Sequence, residues 1–271
     1  VSDLLYYYDL GSGQSVSPTA SSYKDQKTWI SGFSRANFIF RDKYVLQLSL
    51  RGDAASNFAD NKKWGYFPSV SGSWVISEEN FMSAVPFVSD LKLRAGYGET
   101  GNSSIGGGAY PLYRLSASPV FGTNQPSSGI SLTQAANANL SWETVAELNF
   151  GLDFGLFNNR LYGSVDVYSK TIRDMLTKIP LPADNITSFV WGNAGSVRAN
   201  GWELSLSSRN IVSKSSKSDF TWTTTANLSH YYSFWVERAP ATLLNLKGTP
   251  WIPATGKNAP FNGLYGYEAD G

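Results

Sequence analysis

The run Trp142-Glu143-Thr144-Val145-Ala146-Glu147-Leu148-Asn149-Phe150-Gly151-Leu152-Asp153-Phe154-Gly155-Leu156 alternates apolar with polar or small side chains along most of its length. Trp142, Ala146, Leu148, Phe150, Leu152, Phe154 and Leu156 share one parity, while Glu143, Glu147, Asn149, Gly151 and Asp153 share the other. A strand places successive side chains on opposite faces, whereas a helix would scatter both sets around its axis. The stretch is therefore predicted to be one long strand with a greasy face and a wet face.

The same split recurs outward from this run in both directions. Tyr44 to Asp53 sets Tyr44, Leu46, Leu48 and Leu50 against Gln47, Ser49, Arg51 and Asp53. Ile30 to Phe40 sets Ala36, Phe38 and Phe40 against Arg35 and Asn37, and Ser69 to Ser77 sets Val70, Trp74 and Ile76 against serines. Leu91 to Gly98, Leu161 to Lys170, Trp202 to Ser207 and Phe220 to Ser229 behave alike. That makes about eight strands, most near the ~9–11 residues that cross a bilayer at a tilt.

A soluble antiparallel sandwich also alternates. Two features favour a membrane wall instead. The polar parity carries Arg51, Asp53, Arg94, Glu147, Asp153, Asp166 and Glu203, as a water-filled bore would. Aromatics of the apolar set gather near strand ends, with Phe38, Phe40 and Tyr44 flanking one turn and Trp29, Tyr97 and Trp142 at the opposite ends, in the manner of a girdle. The connections agree. Arg41 to Lys43 and Phe157 to Arg160 are tight, whereas Asn102 to Leu140 and Thr171 to Ala199 are long and rich in Gly, Pro, Ser and Asn. Membrane barrels have short periplasmic turns and long extracellular loops. Arg41 to Lys43, Glu78 to Asp90, Phe157 to Arg160 and Ser208 to Asp219 are thus expected in the periplasm, with a turn of helix around Phe81 and Met82.

Composition closes off other classes. The chain has 271 residues, of which 16% are charged and 14% aromatic, and it contains no Cys. Disulfides and thiolate metal sites are excluded. A net charge of +1 gives no electrostatic case for nucleic acid. No run reaches the ~18–20 apolar residues of a membrane helix. The chain begins at Val1 with no visible signal peptide, so residues 1–271 are expected to be one partial barrel domain from inside a longer protein.

Several phrases, taken in order, resemble a known family. Trp64-Gly65-Tyr66-Phe67-Pro68-Ser69-Val70-Ser71 is followed by Trp74 and Ile76-Ser77-Glu78-Glu79. Leu91 to Asn102 ends in Gly98-Glu99-Thr100-Gly101-Asn102. Then come Asn139-Leu140-Ser141-Trp142-Glu143-Thr144, Leu156 to Arg160, Asp166-Val167-Tyr168, Asn193-Ala194-Gly195, Asn200-Gly201-Trp202-Glu203 and Phe261 to Tyr267. The ordered set resembles SusC/RagA-like TonB-linked outer-membrane transporters of Gram-negative bacteria. That resemblance implies a barrel of about 22 strands, a plug and TonB box upstream, a SusD-like surface lipoprotein as lid, outer-membrane lipids around the wall, and a glycan or oligopeptide as substrate. It implies no cofactor.

Candidate sites follow from these readings. Arg51, Asp53, Arg94, Glu147, Asp153, Asp166 and Glu203 are expected to face the lumen, where they meet the plug, line a route or pair among themselves. Tyr110, Tyr113, Phe121, Trp191 and Trp251 lie in long loops; their rings either stack on substrate, pack their own loop or meet the lid. Trp64, Gly65, Tyr66, Phe67 and Pro68 are read as structural, with Pro68 at a strand start and the aromatics at headgroup level. His230 is the only histidine, expected near an extracellular strand end, so no His-rich metal site exists and catalysis is not expected. A self-contained eight-stranded barrel with a structural or adhesive role is the alternative.

Overall fold

A computed structural model describes residues 26–105, 108–117, 128–212 and 220–237. In chain order the strands are β1 (Trp29–Phe40), β2 (Tyr44–Ala55), β3 (Trp64–Val75), β4 (Val88–Asn102), β5 (Leu112–Ala117), β6 (Ser128–Gln134), β7 (Glu143–Leu156), β8 (Leu161–Arg173), β9 (Leu176–Pro180), β10 (Phe189–Asn193), β11 (Ser196–Val212) and β12 (Thr221–Glu237). Eight of them form one antiparallel sheet in the order β1-β2-β3-β4-β7-β8-β11-β12. Each expected strand is present. β11 and β12 are longer than their alternation indicates, because strict alternation is needed only where one face meets hydrocarbon. His230 accordingly lies inside β12, which runs on to Glu237, and not at a strand end.

The register shows how the two faces differ. One row across the sheet reads Phe38, Leu46, Gly72, Ala95, Phe150, Val167, Trp202 and His230. A row of opposite parity reads Arg35, Ser49, Ser69, Gly98, Glu147, Lys170, Ala199 and Ser233. The apolar face is not covered: Leu46 and Leu48 are each 42% exposed and Phe150 53%. A sandwich would bury these residues against a second sheet, whereas a soluble monomer rarely tolerates so broad an apolar patch. The apolar face is the outward one, toward lipid; the polar face looks inward.

Strand starts on the short-turn side step along the sheet. The row through Tyr44, the first residue of β2, passes Leu152, Val165, Leu204 and Leu228, yet β8 already starts at Leu161 and β12 at Thr221. Such a stagger is the shear that tilts strands in a closed barrel. β1 and β12 do not pair with each other among the described residues, so the eight strands form an open wall, contrary to the self-contained barrel alternative.

Connections at one end are tight, with Arg41, Asp42, Phe157, Asn158 and Asn159 all at positive φ. The link after β3 holds 3-10 turns at Ile76–Glu78 and Asn80–Ala84, matching the helical turn expected near Phe81. At the other end the two long connections carry hairpins β5–β6 and β9–β10, which their Gly/Pro-rich sequence did not announce. There the buried cluster lies: Ala55, Phe58, Phe67, Ile105, Ala109, Leu140 and Trp142. Two aromatics expected in the girdle do not stand in it. Trp142 immediately precedes β7 and turns into this cluster, 9% exposed. Trp29 falls opposite Ala55, on the inward parity.

Candidate functional site

The inward face carries the ionisable residues. Arg94 on β4 donates from Nε and Nη2 to both oxygens of Asp153 on β7, at 2.9 and 2.8 Å. Its Nη2 also reaches Asp166 on β8, at 3.1 Å. The register explains that reach, since Gly151 stands between Arg94 and Asp166. A Cβ at Gly151 would lie 2.5 Å from both the Arg94 Cζ and an Asp166 oxygen, so any side chain there would split the pair. All three members are partly solvated, so each pairing contributes on the order of 1 kcal/mol, not the several lost on breaking a fully buried pair. Arg51 holds Asp53 at 2.7 Å on the same face of β2. Glu147 and Glu203 line a hollow of about 770 Å³ together with Asp166, Tyr168, Lys170 and Tyr231. The seven inward candidates thus separate into an Arg94 triad, an Arg51 pair, and two carboxylates around a hollow. No cluster of three or more metal-ligating side chains occurs among the described residues.

The loop cap is built on small polar side chains as much as on apolar ones. The Phe58 and Phe67 rings sit 5.2 and 5.5 Å from that of Trp142, whose Nε1 donates to the Lys63 carbonyl at 2.9 Å. Gly65 and Gly101 leave room for Phe67: a Cβ at Gly101 would fall 1.9 Å from its ring. The Trp64 to Pro68 phrase therefore divides. Phe67 turns inward and is buried, while Trp64 and Tyr66 stack outward with centroids 6.3 Å apart and remain exposed. Pro68 lies within β3, not at its start, one residue before pairing with β4 begins at Ser69. On that side the strand is still an edge, where a missing N–H is tolerated.

Asparagine and glutamine close the remaining loop backbone. Asn193 accepts from the Ser141 N–H at 2.8 Å and donates to the Ser141 and Asp174 carbonyls, each at 2.9 Å. Buried Gln134 donates to the Gly108 and Tyr110 carbonyls, and Asn137 to that of Trp191. Glu143 accepts from Asn102 and from the Leu176 N–H. Irregular backbone at a buried site has to be satisfied somewhere, and these side chains do it. The sequence signals for them are the family phrases that hold Asn102, Glu143 and Asn193; Gln134 and Asn137 lie in no such phrase.

The loop aromatics are placed differently from one another. Trp191 packs against the buried cluster and stands edge-on to Phe189, with the Lys178 ammonium 4.4 Å from the Phe189 ring centre. The Tyr110 hydroxyl donates to the Phe58 carbonyl at 3.3 Å. Tyr113, in β5, is 66% exposed. Phe121 and Trp251 lie outside the described residues.

At the short-turn end, Glu79 braces the link after β3. Its carboxylate accepts from the Tyr44 hydroxyl at 2.7 Å, the Trp74 indole at 3.1 Å and the Lys43 ammonium at 3.3 Å. These donors, Tyr44 foremost, hold the Glu79 carboxyl below the usual carboxylate range. A lowered folded-state value means that the contribution is complete above the unfolded value of about 4.3 and fades as pH falls through the folded one. The Trp74 indole N–H resonance is expected to stay constant above about pH 5 and to shift on acidification. In Glu79→Gln that shift should vanish.

Similarity to known proteins agrees with this architecture. Residues 2–266 match the family model described as TonB dependent receptor-like, beta-barrel. The chain belongs to the TonB-dependent receptor family. It is 40% identical over 199 residues to a TonB-dependent receptor of Formosa agariphila, covering 73% of this chain and 18% of that one. It is 37% identical over 215 residues to the TonB-dependent receptor SusC of Bacteroides thetaiotaomicron, covering 77% and 21%. Among solved structures it resembles the RagAB peptide transporter, with a TM-score of 0.73 and 32% identity over 86% of this chain and 25% of that chain. The segment thus represents about a fifth of the curated receptors it matches.

Proposed function

We propose that the intact receptor imports oligosaccharides or oligopeptides across the outer membrane of a Gram-negative bacterium, with energy delivered through TonB and a SusD-like surface lipoprotein as lid. The observation that carries this reading is the division of the wall, apolar toward lipid and ion-laced toward the bore, in a segment similar to both SusC and the RagAB peptide transporter. In it Arg51, Asp53, Arg94, Glu147, Asp153, Asp166 and Glu203 face the plug or the passing substrate. A charge there keeps its hydration, whereas one facing lipid at midplane costs ~2–4 kcal/mol. Among the described loop aromatics Tyr113 keeps the most open surface for stacking on a sugar or a peptide; Tyr110 and Trp191 are held by their own loops, and Phe121 and Trp251 complete the candidate set.

Growth on panels of oligosaccharides and of peptides as sole carbon source tests the proposal. Deleting the receptor is expected to abolish growth on one class, and complementation should require functional TonB. Unchanged growth on both panels, or rescue in a strain without TonB, contradicts it.

A further inference from the structure

On the outward face, β7, β8, β11 and β12 enclose a groove of about 580 Å³, walled by Leu148, Phe150, Val167 and Trp202 and edged by Asn200 and His230. That volume falls in the range of pockets that hold a ligand-sized group. One row beyond His230, on the long-loop side, Asn200 stands between Ser169 and Tyr232. Its Nδ2 donates to the Tyr232 hydroxyl at 3.1 Å, while its buried Oδ1 has no partner among the described residues. One row further, Arg198 stands opposite Thr171 and donates from Nε to its hydroxyl at 3.0 Å. Its neighbour Arg173 is engaged by Glu99 at 3.6 Å. Arg198 itself has no carboxylate within ion-pair distance among the described residues.

A guanidinium with no carboxylate partner among the described residues, one row beyond the Asn200 edge of an apolar trough on the face that meets lipid, matches one chemistry. A planar guanidinium binds phosphate through two parallel N–H donors, and an acyl chain fills a trough that water would occupy only at a cost. We infer that this groove holds a single phosphate-bearing lipid of the outer leaflet, with its phosphate at Arg198 and one acyl chain between Phe150 and Trp202. The inference rests on the outward assignment of this face and is independent of what the receptor imports.

Native mass spectrometry of the intact receptor in mild non-ionic detergent tests it, with phosphorylated and dephosphorylated lipid A as probes. The wild type is expected to retain one phosphorylated lipid. Arg198→Gln should lower that retention about tenfold, the loss of one charge-assisted contact, and leave the weaker retention of the dephosphorylated form unchanged. Ser169→Trp, which fills the trough from its lipid-facing wall, should displace both forms while Arg198 is intact. Heat-modifiable gel mobility verifies that each variant is a folded barrel. Equal retention by the wild type and Arg198→Gln overturns the site, as does displacement of the lipid by excess inorganic phosphate, which would assign Arg198 to a free anion. Growth on the imported nutrient should be normal in both variants, so loss of lipid with normal growth separates this site from the transport reading.

Discussion

Phe58→Ala is expected to loosen the cap of long loops by about 3–5 kcal/mol, the usual cost of removing a buried phenyl ring. Phe58 is fully buried, packs on Trp142, and anchors the loop that accepts the Ala109 N–H and the Tyr110 hydroxyl. Leu140, equally buried, lies in the same cluster. The wall does not depend on that cluster, because its strands are joined by a continuous ladder from β1 to β12. Limited proteolysis of the intact receptor should therefore show rapid cutting within the connections 103–142 and 174–195 in the variant, with the strands still protected. Equal protection of the cap in wild type and variant would show that the loops are held by something other than this cluster.

Phe150→Arg should destabilise the receptor in bilayers by about 2–4 kcal/mol, whereas Asn149→Arg one residue away should be nearly neutral. The two positions are adjacent in β7 but opposite in parity. Phe150 lies in the row of Ala95 and Val167, and Asn149 in the row of Gly96 and Tyr168. An arginine in the outward row must snorkel or drag water into hydrocarbon; one in the inward row joins a face that already holds Arg94 and Lys170. Urea unfolding in lipid vesicles, with the two variants side by side, measures the difference.

How much of this was legible in sequence depends on what sets each feature. The parity of Leu46, Leu148 and Phe150 against Ser49, Glu147 and Asn149 is a local, period-two property, so the strands and their two faces could be read directly. The tight turns at Arg41 to Lys43 and Phe157 to Arg160 were legible for the same reason. The cap was not. Phe67 turns inward because Gly65 and Gly101 vacate space for its ring, and Trp142 swings in because it precedes the first paired residue of β7. Those are contacts between segments far apart in sequence, and parity alone assigned Trp142 to the lipid. Hairpins β5–β6 and β9–β10 were hidden because no hydrocarbon-facing side had to be apolar there, leaving composition without periodicity. Within the inward set, sequence supplied the residues but not their grouping. That Arg94 reaches past Gly151 to Asp166 is a matter of register.

The wall has one face in lipid and the other in water. Spin labels at Leu48, Leu148 and Leu204, and at Ser49, Asn149 and Ser205, in the intact receptor reconstituted in bilayers, test this most directly. The first three are expected to be relaxed by lipid-soluble oxygen and the second three by a water-soluble nickel chelate. Reversal of the two sets, or equal relaxation of all six by the chelate, would contradict it.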